Sequence, residues 1–526
     1  MDPSLLGELL AVALFLGAIG ALLIGYPIAF TLPGVAVVFA LIGWIFGVFD
    51  LSYFSALPLR YYGILTNEVL IAVPLFVFMG VMLERSLVAE QMLDSMGLLF
   101  GKMRGGLGIS TVLVATLLAA STGIVGATVA TMGLISLPSM LRAGYDKRLA
   151  TGLICASGTL GQIIPPSTLL VFLSVILQSA YSEAQLAQGN FTPETFSVSD
   201  LFAGAFLPGL MLAGLYALWV AVLAVLKPTS APALLGVGES LIWRSLGLRL
   251  ITALLPPLIL IVAVLGSIIA GVATPTEAAA VGAIGATLIT MVKFIVEGFG
   301  AANPALTERR LAWLWIAIVT LAVLSGLMFG TAAVLSLAVV LLLAATICVG
   351  LLSYARRRFL RVLDEVTQSS LVITTMVFVI FLGASMFSMV FTRMGGEDLV
   401  TELLSSMPGG VSGALFTVMA IMFVLGFFLD PFEIIFIVVP IAAPVLFKLG
   451  VDPVWLAVLI AINFQTSYLT PPFGFSLFFL RGVAPPSVLT SDIYRGVVPF
   501  VLIQLMMLVA VWVFPWIATW LPGILR

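Results

Sequence analysis

The residues best suited to chemistry in this chain are two proline pairs set among glycines and hydroxyls. Gly158, Thr159, Gly161, Pro165, Pro166 and Ser167 lie in the run GTLGQIIPPS, and Thr466, Ser467, Thr470, Pro471, Pro472 and Gly474 lie in TSYLTPPFG. Both runs are embedded in apolar sequence. A proline inside a helix removes a backbone donor and pushes carbonyls out of the helical ladder. Lipid cannot satisfy those groups, so such breaks persist only within protein or beside a polar cavity. Freed carbonyls together with Ser and Thr hydroxyls form an oxygen cage suited to a hard cation such as Na⁺. The exposed N-terminal ends of half-helices suit a carboxylate. The plainer reading is that each pair only kinks a helix for packing, and the register of the two runs weighs against it. Pro138, Gly144, Asp146, Pro165 and Pro166 fall on Pro444, Gly450, Asp452, Pro471 and Pro472 at a constant offset of 306, and Arg142 falls on Lys448. A duplicated unit with a broken helix in each half points to the binding site of a solute transporter.

Other positions join these two. At the same offset Ser121, Thr122 and Gly123 stand opposite Phe427, Phe428 and Leu429, with Asp430 and Pro431 just beyond, so both places are candidate second breaks. Asp430 and Glu433 sit between apolar runs, where a carboxylate is either functional or an interfacial acid at a segment end. Ser157 and Asn463 share a register position before the proline pairs, and either can add an oxygen ligand. Glu277 lies three residues past Thr274 with Pro275 between them, which is capping-box spacing; its plain role is to start a helix. Gly144 with Asp146, and Gly450 with Asp452, read as interhelical turns.

The elements that must carry these residues follow from composition. Of 526 residues, 62% are hydrophobic and 9% charged, with mean hydropathy +1.25, against about 25% charged in soluble domains. The chain is therefore expected to be an all-α polytopic membrane protein in a lipid bilayer, with no hydrophilic stretch long enough for a soluble or nucleic-acid-binding domain. Apolar segments are expected at 5–30, 34–50, 66–83, 107–141, 149–180, 201–226, 250–272, 275–296, 311–329, 331–353, 367–392, 411–429, 432–447, 453–480 and 497–523. The run 107–141 is too long for one straight crossing. The first segment has no basic n-region and reads as a first transmembrane helix rather than a cleaved leader. Histidine is absent, which removes Ser-His-Asp, Cys-His and HExxH chemistry and weakens enzyme readings. Cys155 and Cys348 both lie in apolar segments and read as buried structural thiols.

Basic residues mark the cytoplasmic side. Arg142, Lys147 and Arg148 form one cluster, and Arg309–Arg310 and Arg356–Arg361 bracket a helical hairpin turning near Gly330. The loop 181–200 carries three acids and no Lys or Arg, which suits the opposite face. Crossing parity leaves the orientation of the two copies open: counting every segment as a span makes them parallel, and one re-entrant segment inverts them.

The runs AGYDKRLATGLICASGTLGQIIPPS, VATPTEAAAVGAI, LTPPFG, GYPIAF and VPLFVFMG resemble the large membrane subunit of TRAP transporters, over nearly the whole chain. The resemblance implies a Na⁺-coupled elevator-type transporter with two inverted structural repeats, re-entrant hairpins and discontinuous helices. It implies a small TRAP membrane subunit and a periplasmic substrate-binding protein as partners, a small-molecule carboxylate as cargo, and a bacterial or archaeal cytoplasmic (inner) membrane location. On this reading residues 1–226 form an N-terminal membrane repeat, 227–365 connecting helices with an added cytoplasm-anchored hairpin, and 366–526 a C-terminal membrane repeat. Na⁺ is assigned to Ser121, Thr122, Gly123, Gly158, Gly161, Pro165 and Pro166, and to Asn463, Ser467, Pro471, Pro472 and Gly474. Cargo is assigned to Thr159, Ser167, Thr466, Thr470 and Asp430. The family often has a Ser-Gly-Ser-Ser-like run where this chain has Ser121-Thr122-Gly123-Ile124. A standalone Na⁺/carboxylate carrier is the main alternative, ahead of a channel or a membrane-bound enzyme.

Overall fold

A computed structural model of the chain describes residues 3–123, 125–233, 252–299, 341, 346 and 353–525. Much of the expected 227–365 connection, including the hairpin expected between Arg309–Arg310 and Arg356–Arg361, falls outside the described residues. Every element that is described is helical. Nine of these helices are long and apolar enough to cross a membrane, and the bent pair Leu51–Leu65 and Glu68–Arg85, at 52°, makes a tenth if taken as one span.

Helices α1 (Pro3–Leu23) and α2 (Ile28–Ile45) divide the expected 5–30 and 34–50 segments differently. The chain turns at Gly25, whose φ of +98° suits glycine, and Pro27 disfavours helix in the residue before it. The GYPIAF run is thus a turn and a helix start. A short α3 (Leu57–Leu65) precedes α4 (Glu68–Arg85), which is capped by the Asn67 side chain. The amphipathic α5 (Val88–Phe100) lies where no apolar segment is expected. The long 107–141 run does break: α6 (Gly106–Thr122) ends at Gly123, with φ +61°, and α7 (Val125–Arg142) follows.

Next come α8 (Lys147–Thr159), α9 (Thr168–Ala187) and α10 (Val198–Leu226), then α11 (Leu255–Ile269) and α12 (Pro275–Phe299). Thr274 and Glu277 form the expected capping box: the Thr274 N–H donates to the Glu277 carboxylate at 2.8 Å, and the Glu277 N–H donates to Thr274 Oγ1 at 3.2 Å. Helix α13 (Ser353–Arg393) runs 41 residues and absorbs the Arg356–Arg361 cluster expected to lie outside a span. The remaining helices are α14 (Gly396–Ser405), α15 (Gly410–Leu425), α16 (Pro431–Lys448), α17 (Pro453–Leu469), α18 (Phe475–Val483), α19 (Thr490–Val513) and α20 (Trp516–Leu525).

The 306-residue offset carries α7 onto α16 end for end. The turns that follow also correspond. Gly144 and Gly450 have φ of +82° and +88°, and the Asp146 and Asp452 carboxylates cap the next helices at Arg148 and Trp455, at 2.7 and 2.8 Å. Packing sorts the helices into two groups. Helix α12 lies along α4, and α13 along α2 and α4; in the other group α8 lies against α19 and α7, and α16 against α9. The α8–α19 crossing is very close: a Cβ on Gly152 would sit 2.0 Å from the Gly496 carbonyl oxygen, and one on Gly496 would sit 2.2 Å from the Arg148 oxygen. Two glycines let the backbones meet there, as small residues do in membrane helix packing.

Candidate ion and solute site

The first break is buried throughout. Helix α8 stops at Thr159, a tight 3₁₀ turn spans Leu160–Gln162, and α9 resumes after Pro165, Pro166 and Ser167. The hydroxyls close on nearby carbonyls, Thr159 Oγ1 donating to Ala156 at 2.8 Å and Ser167 Oγ to Gln162 at 3.1 Å. A hydroxyl that donates keeps lone pairs able to face a cation. The α6–α7 break packs directly against this one. Thr168 Oγ1 donates to the Gly123 carbonyl at 3.4 Å, and a Cβ on Gly123 would lie 3.0 Å from the Thr168 nitrogen. Gly161 faces the Ala119 carbonyl, and Gly158 presses on Val129. Ser121 and Thr122 form the last turn of α6; their side chains lie outside the described residues.

The second break repeats this pattern on α17 and α18. Thr466 Oγ1 donates to Ile462 at 2.9 Å, Ser467 Oγ to Phe464 at 3.0 Å, and Thr470 Oγ1 to Thr466 at 2.6 Å. Gly474 closes the turn through its N–H to the Thr470 carbonyl at 3.0 Å. Gly426, at the end of α15, leaves room for the Ser467 hydroxyl, which lies 2.3 Å from the position of an added Cβ. The Asn463 amide donates to the Met419 carbonyl at 2.9 Å, which ties Asn463 to α15. Unlike the first break, this one has a tip that reaches the surface: Pro472 and Phe473 are exposed.

Asp430 caps α16. Its Oδ1 accepts from the Phe432 N–H at 3.0 Å, Glu433 accepts from the Asp430 N–H at 3.1 Å, and its Oδ2 accepts from the Tyr468 hydroxyl at 2.8 Å. The carboxylate is therefore engaged in a capping box that ties the α15–α16 turn to the second break.

Several polar groups that the sequence reading passed over lie in this region. Gln504, on α19, donates to Tyr216 OH at 2.8 Å and to Thr159 Oγ1 at 3.3 Å. Gln465 is completely buried, and neither its amide nitrogen nor its amide oxygen has a hydrogen-bond partner. Ser157 Oγ, Gln162 Oε1 and Gln504 Oε1 are also buried without partners. Buried polar atoms are nearly always paired, so such groups call for an explanation. Gln465 corresponds to Thr159, and Gln162 to Tyr468, at the 306 offset. The available signal was a glutamine in an otherwise apolar run, just before each proline pair.

The two breaks belong to one packed body. Gly126 and Gly133 of α7 accept Phe479, Leu480 and Val483 of α18, and α17 packs on both α8 and the Leu160–Gln162 turn. Membrane-crossing helices interrupted by polar, buried breaks place this chain in the class of multi-pass membrane transport proteins. Its sequence matches the tripartite ATP-independent periplasmic transporter family, DctM component, over residues 15–309 and 297–517, and the chain belongs to that family. It is 29% identical over 517 residues to the C4-dicarboxylate TRAP transporter large permease protein of Vibrio cholerae, covering 98% of each chain. It is 24% identical over 507 residues to the ectoine TRAP transporter large permease protein of Halomonas elongata, covering 96% of each. It is 26% identical over 509 residues to the 2,3-diketo-L-gulonate TRAP transporter large permease protein of Escherichia coli, covering 95% of this chain and 96% of that one. The chain is a large permease component and not an enzyme.

Proposed function

We propose that this permease imports a small organic acid across the inner membrane, driven by Na⁺, with a small membrane subunit and a periplasmic binding protein that delivers the cargo. The observation that carries the Na⁺ reading is the set of buried, unpaired oxygens at the breaks: Ser157 Oγ, Gln162 Oε1 and Gln465 Oε1. A monovalent cation held by neutral oxygens would satisfy them, with Ser121–Gly123, Gly158–Ser167, Asn463 and Ser467–Gly474 supplying further carbonyls and hydroxyls. The cargo carboxylate would lie between the breaks, against Thr159, Ser167, Thr466 and Thr470. The carboxylate and keto-acid cargoes named for relatives support an acidic cargo, and ectoine widens the class.

In this mechanism the body built from α6–α9 and α15–α19 holds the site and moves as an elevator against α1, α2, α4, α12 and α13. The matching registers of α7 and α16 supply its two repeats, and inversion of one against the other makes access alternate. One net positive charge moved through 100 mV is worth about 2.3 kcal/mol. At about 1.4 kcal/mol per tenfold, that sustains a gradient of about 50-fold from voltage alone.

Proteoliposomes holding the permease and its small subunit test this with labelled succinate and a dicarboxylate-binding protein as probe. Uptake is expected under an inward Na⁺ gradient and not under K⁺, and Pro471→Ala/Pro472→Ala should reduce it while membrane expression stays intact. Equal uptake in Na⁺ and K⁺ would exclude Na⁺ coupling. Full uptake without the binding protein would favour a standalone carrier.

A further inference from the structure

A second polar region lies away from the breaks. A cavity of about 740 Å³ opens between α3 and α13 on one side and α9 and α16 on the other. That is within the roughly 300–1,000 Å³ of small-molecule sites. Its lining on α9 starts at Val175, seven residues past the helix start at Thr168, or about 10 Å at 1.5 Å per residue. The deep end is closed by phenylalanines. Phe381 and Phe436, stacked at 4.8 Å, form the floor. Behind them Phe172 meets Phe436 at 5.5 Å and Phe432 at 5.8 Å, between the floor and the helix starts that follow the breaks.

The cavity's charges are unevenly paired. Glu397 is bound by Lys448 at 3.2 Å. Among the described residues, no carboxylate lies within salt-bridge distance of Arg60 or Arg393, both of which line the cavity and are exposed to it. Arg60 spends one N–H on the Ser385 carbonyl at 3.2 Å, and Arg393 lies over the Tyr53 ring at 4.6 Å. Each guanidinium has five N–H donors in a planar fork suited to carboxylates, so these contacts hold both heads in place with donors to spare. The Ser385 hydroxyl is buried without a partner in the same wall. Glu183 also lines the wall, within electrostatic reach of Lys448 and Arg60, so three cations, Arg60, Arg393 and Lys448, stand against two carboxylates, Glu183 and Glu397, and the basin carries one net positive charge. Both arginines line the space between α3 and α13 on one side and α9 and α16 on the other.

We propose that this cavity is a site for small organic anions, carboxylates or sulfonates, held by Arg60 and Arg393 above the phenylalanine floor. Only its role as an entry vestibule for cargo rests on the proposed function. Gln188, which caps the C-terminal end of α9, reaches the Lys448 carbonyl, so the mouth lies beside the α9–α10 connection, within the segment 181–200 that has no Lys or Arg. By the positive-inside rule that segment suits the face away from the cytoplasm, where delivered cargo would arrive on the proposed function.

Charge-selective thiol labelling of the full chain in membrane vesicles tests the site without knowing the cargo. In a background with Cys155 and Cys348 replaced by alanine, Ser388→Cys places a thiol on the cavity wall. Its rates with an anionic sulfonatoethyl methanethiosulfonate and a cationic trimethylammonioethyl analogue are each divided by the rate with a free thiol. The anionic reagent should be favoured by about tenfold, and Arg60→Gln/Arg393→Gln should bring the preference to about threefold or less. The neutral methyl reagent should react alike in both proteins, which confirms that the double variant is folded. A ratio near one, or a preference that survives the arginine variants, would overturn the site. Lost charge preference with intact Na⁺-driven uptake removes the vestibule alone, and the converse removes only the proposed function.

Discussion

Replacing Gln465 with methionine exchanges an amide for a thioether of nearly the same length, at a position with no exposure. Both amide atoms of Gln465 are buried without a hydrogen-bond partner. An unsatisfied buried group costs about 1–3 kcal/mol, so the methionine protein should be more stable by about that much in K⁺. If the amide oxygen is a Na⁺ ligand, the order should change in Na⁺. A ligand present at a hundredfold its Kd stabilises the native state by about 2.7 kcal/mol, and the wild type alone should gain this in full.

The assay is thermal unfolding of the purified permease in nanodiscs, in NaCl and in KCl at matched ionic strength. A change of 1 kcal/mol moves Tm by about 2–4 °C in domains of 150–250 residues, and by less in a chain of 526. The expected result is a crossing: Gln465→Met melts higher in KCl, and wild type gains more than the variant in NaCl. A variant that melts higher by the same amount in both salts would refute the reasoning. Gln465 would then be a poorly paired core residue, and the cation reading would rest on Ser157 and Gln162 alone.

Two further outcomes follow from the packing. Gly152→Ala puts a methyl 2.0 Å from the Gly496 oxygen, so α8 and α19 must part; overpacking of this kind costs about 1–3 kcal/mol, and a Tm and uptake equal to wild type would show that the crossing yields freely. Tyr468→Phe removes the donor at 2.8 Å from Asp430 and should destabilise by about 1.5–3 kcal/mol, as for hydrogen bonds to charged groups. Asp430→Asn keeps an acceptor for the Phe432 N–H and should cost less; if Asp430→Asn abolishes uptake while Tyr468→Phe is silent, the carboxylate acts on cargo or ion rather than as a cap.

Much of the broken-helix geometry was readable in the chain because it is local. Proline pairs, the left-handed glycines after Arg142 and Lys448, the Asp146 and Asp452 caps and the Thr274/Glu277 box all act within a few residues. The boundary of α1 was misplaced because hydropathy runs smoothly across Ile24–Pro27, where only Gly25 and Pro27 signal a turn. Helices α3 and α5 were missed for the opposite reason: their polar residues interrupt the apolar runs that a span requires. The unpaired oxygens could not be read at all. Whether a glutamine is satisfied depends on neighbours such as Thr159, which lies 345 positions from the Gln504 that reaches it. The cavity is harder still, since Arg60, Glu183 and Arg393 meet only through folding.

The charges around the breaks constrain how any anion could be moved. On the proposed function, the first-break hydroxyls and the Gln162, Gln465 and Gln504 amides are neutral, and Asp430 is held by its own helix start and Tyr468. The guanidiniums of Arg60 and Arg393 lie beyond the phenylalanine floor, in a cavity whose α9 lining starts about 10 Å from that helix's start. A carboxylate at the breaks therefore depends on co-bound cations for compensation in a low-dielectric interior, where unpaired charge is costly. Two Na⁺ beside a dianion move no net charge and gain nothing from membrane voltage, whereas a third makes the step electrogenic, worth about 2.3 kcal/mol per 100 mV. A zwitterion such as the ectoine named for one relative needs a single Na⁺ for the same drive. The cation count should thus track cargo charge, and the unpaired neutral oxygens on both sides of the repeat are what would let one scaffold hold more than one ion.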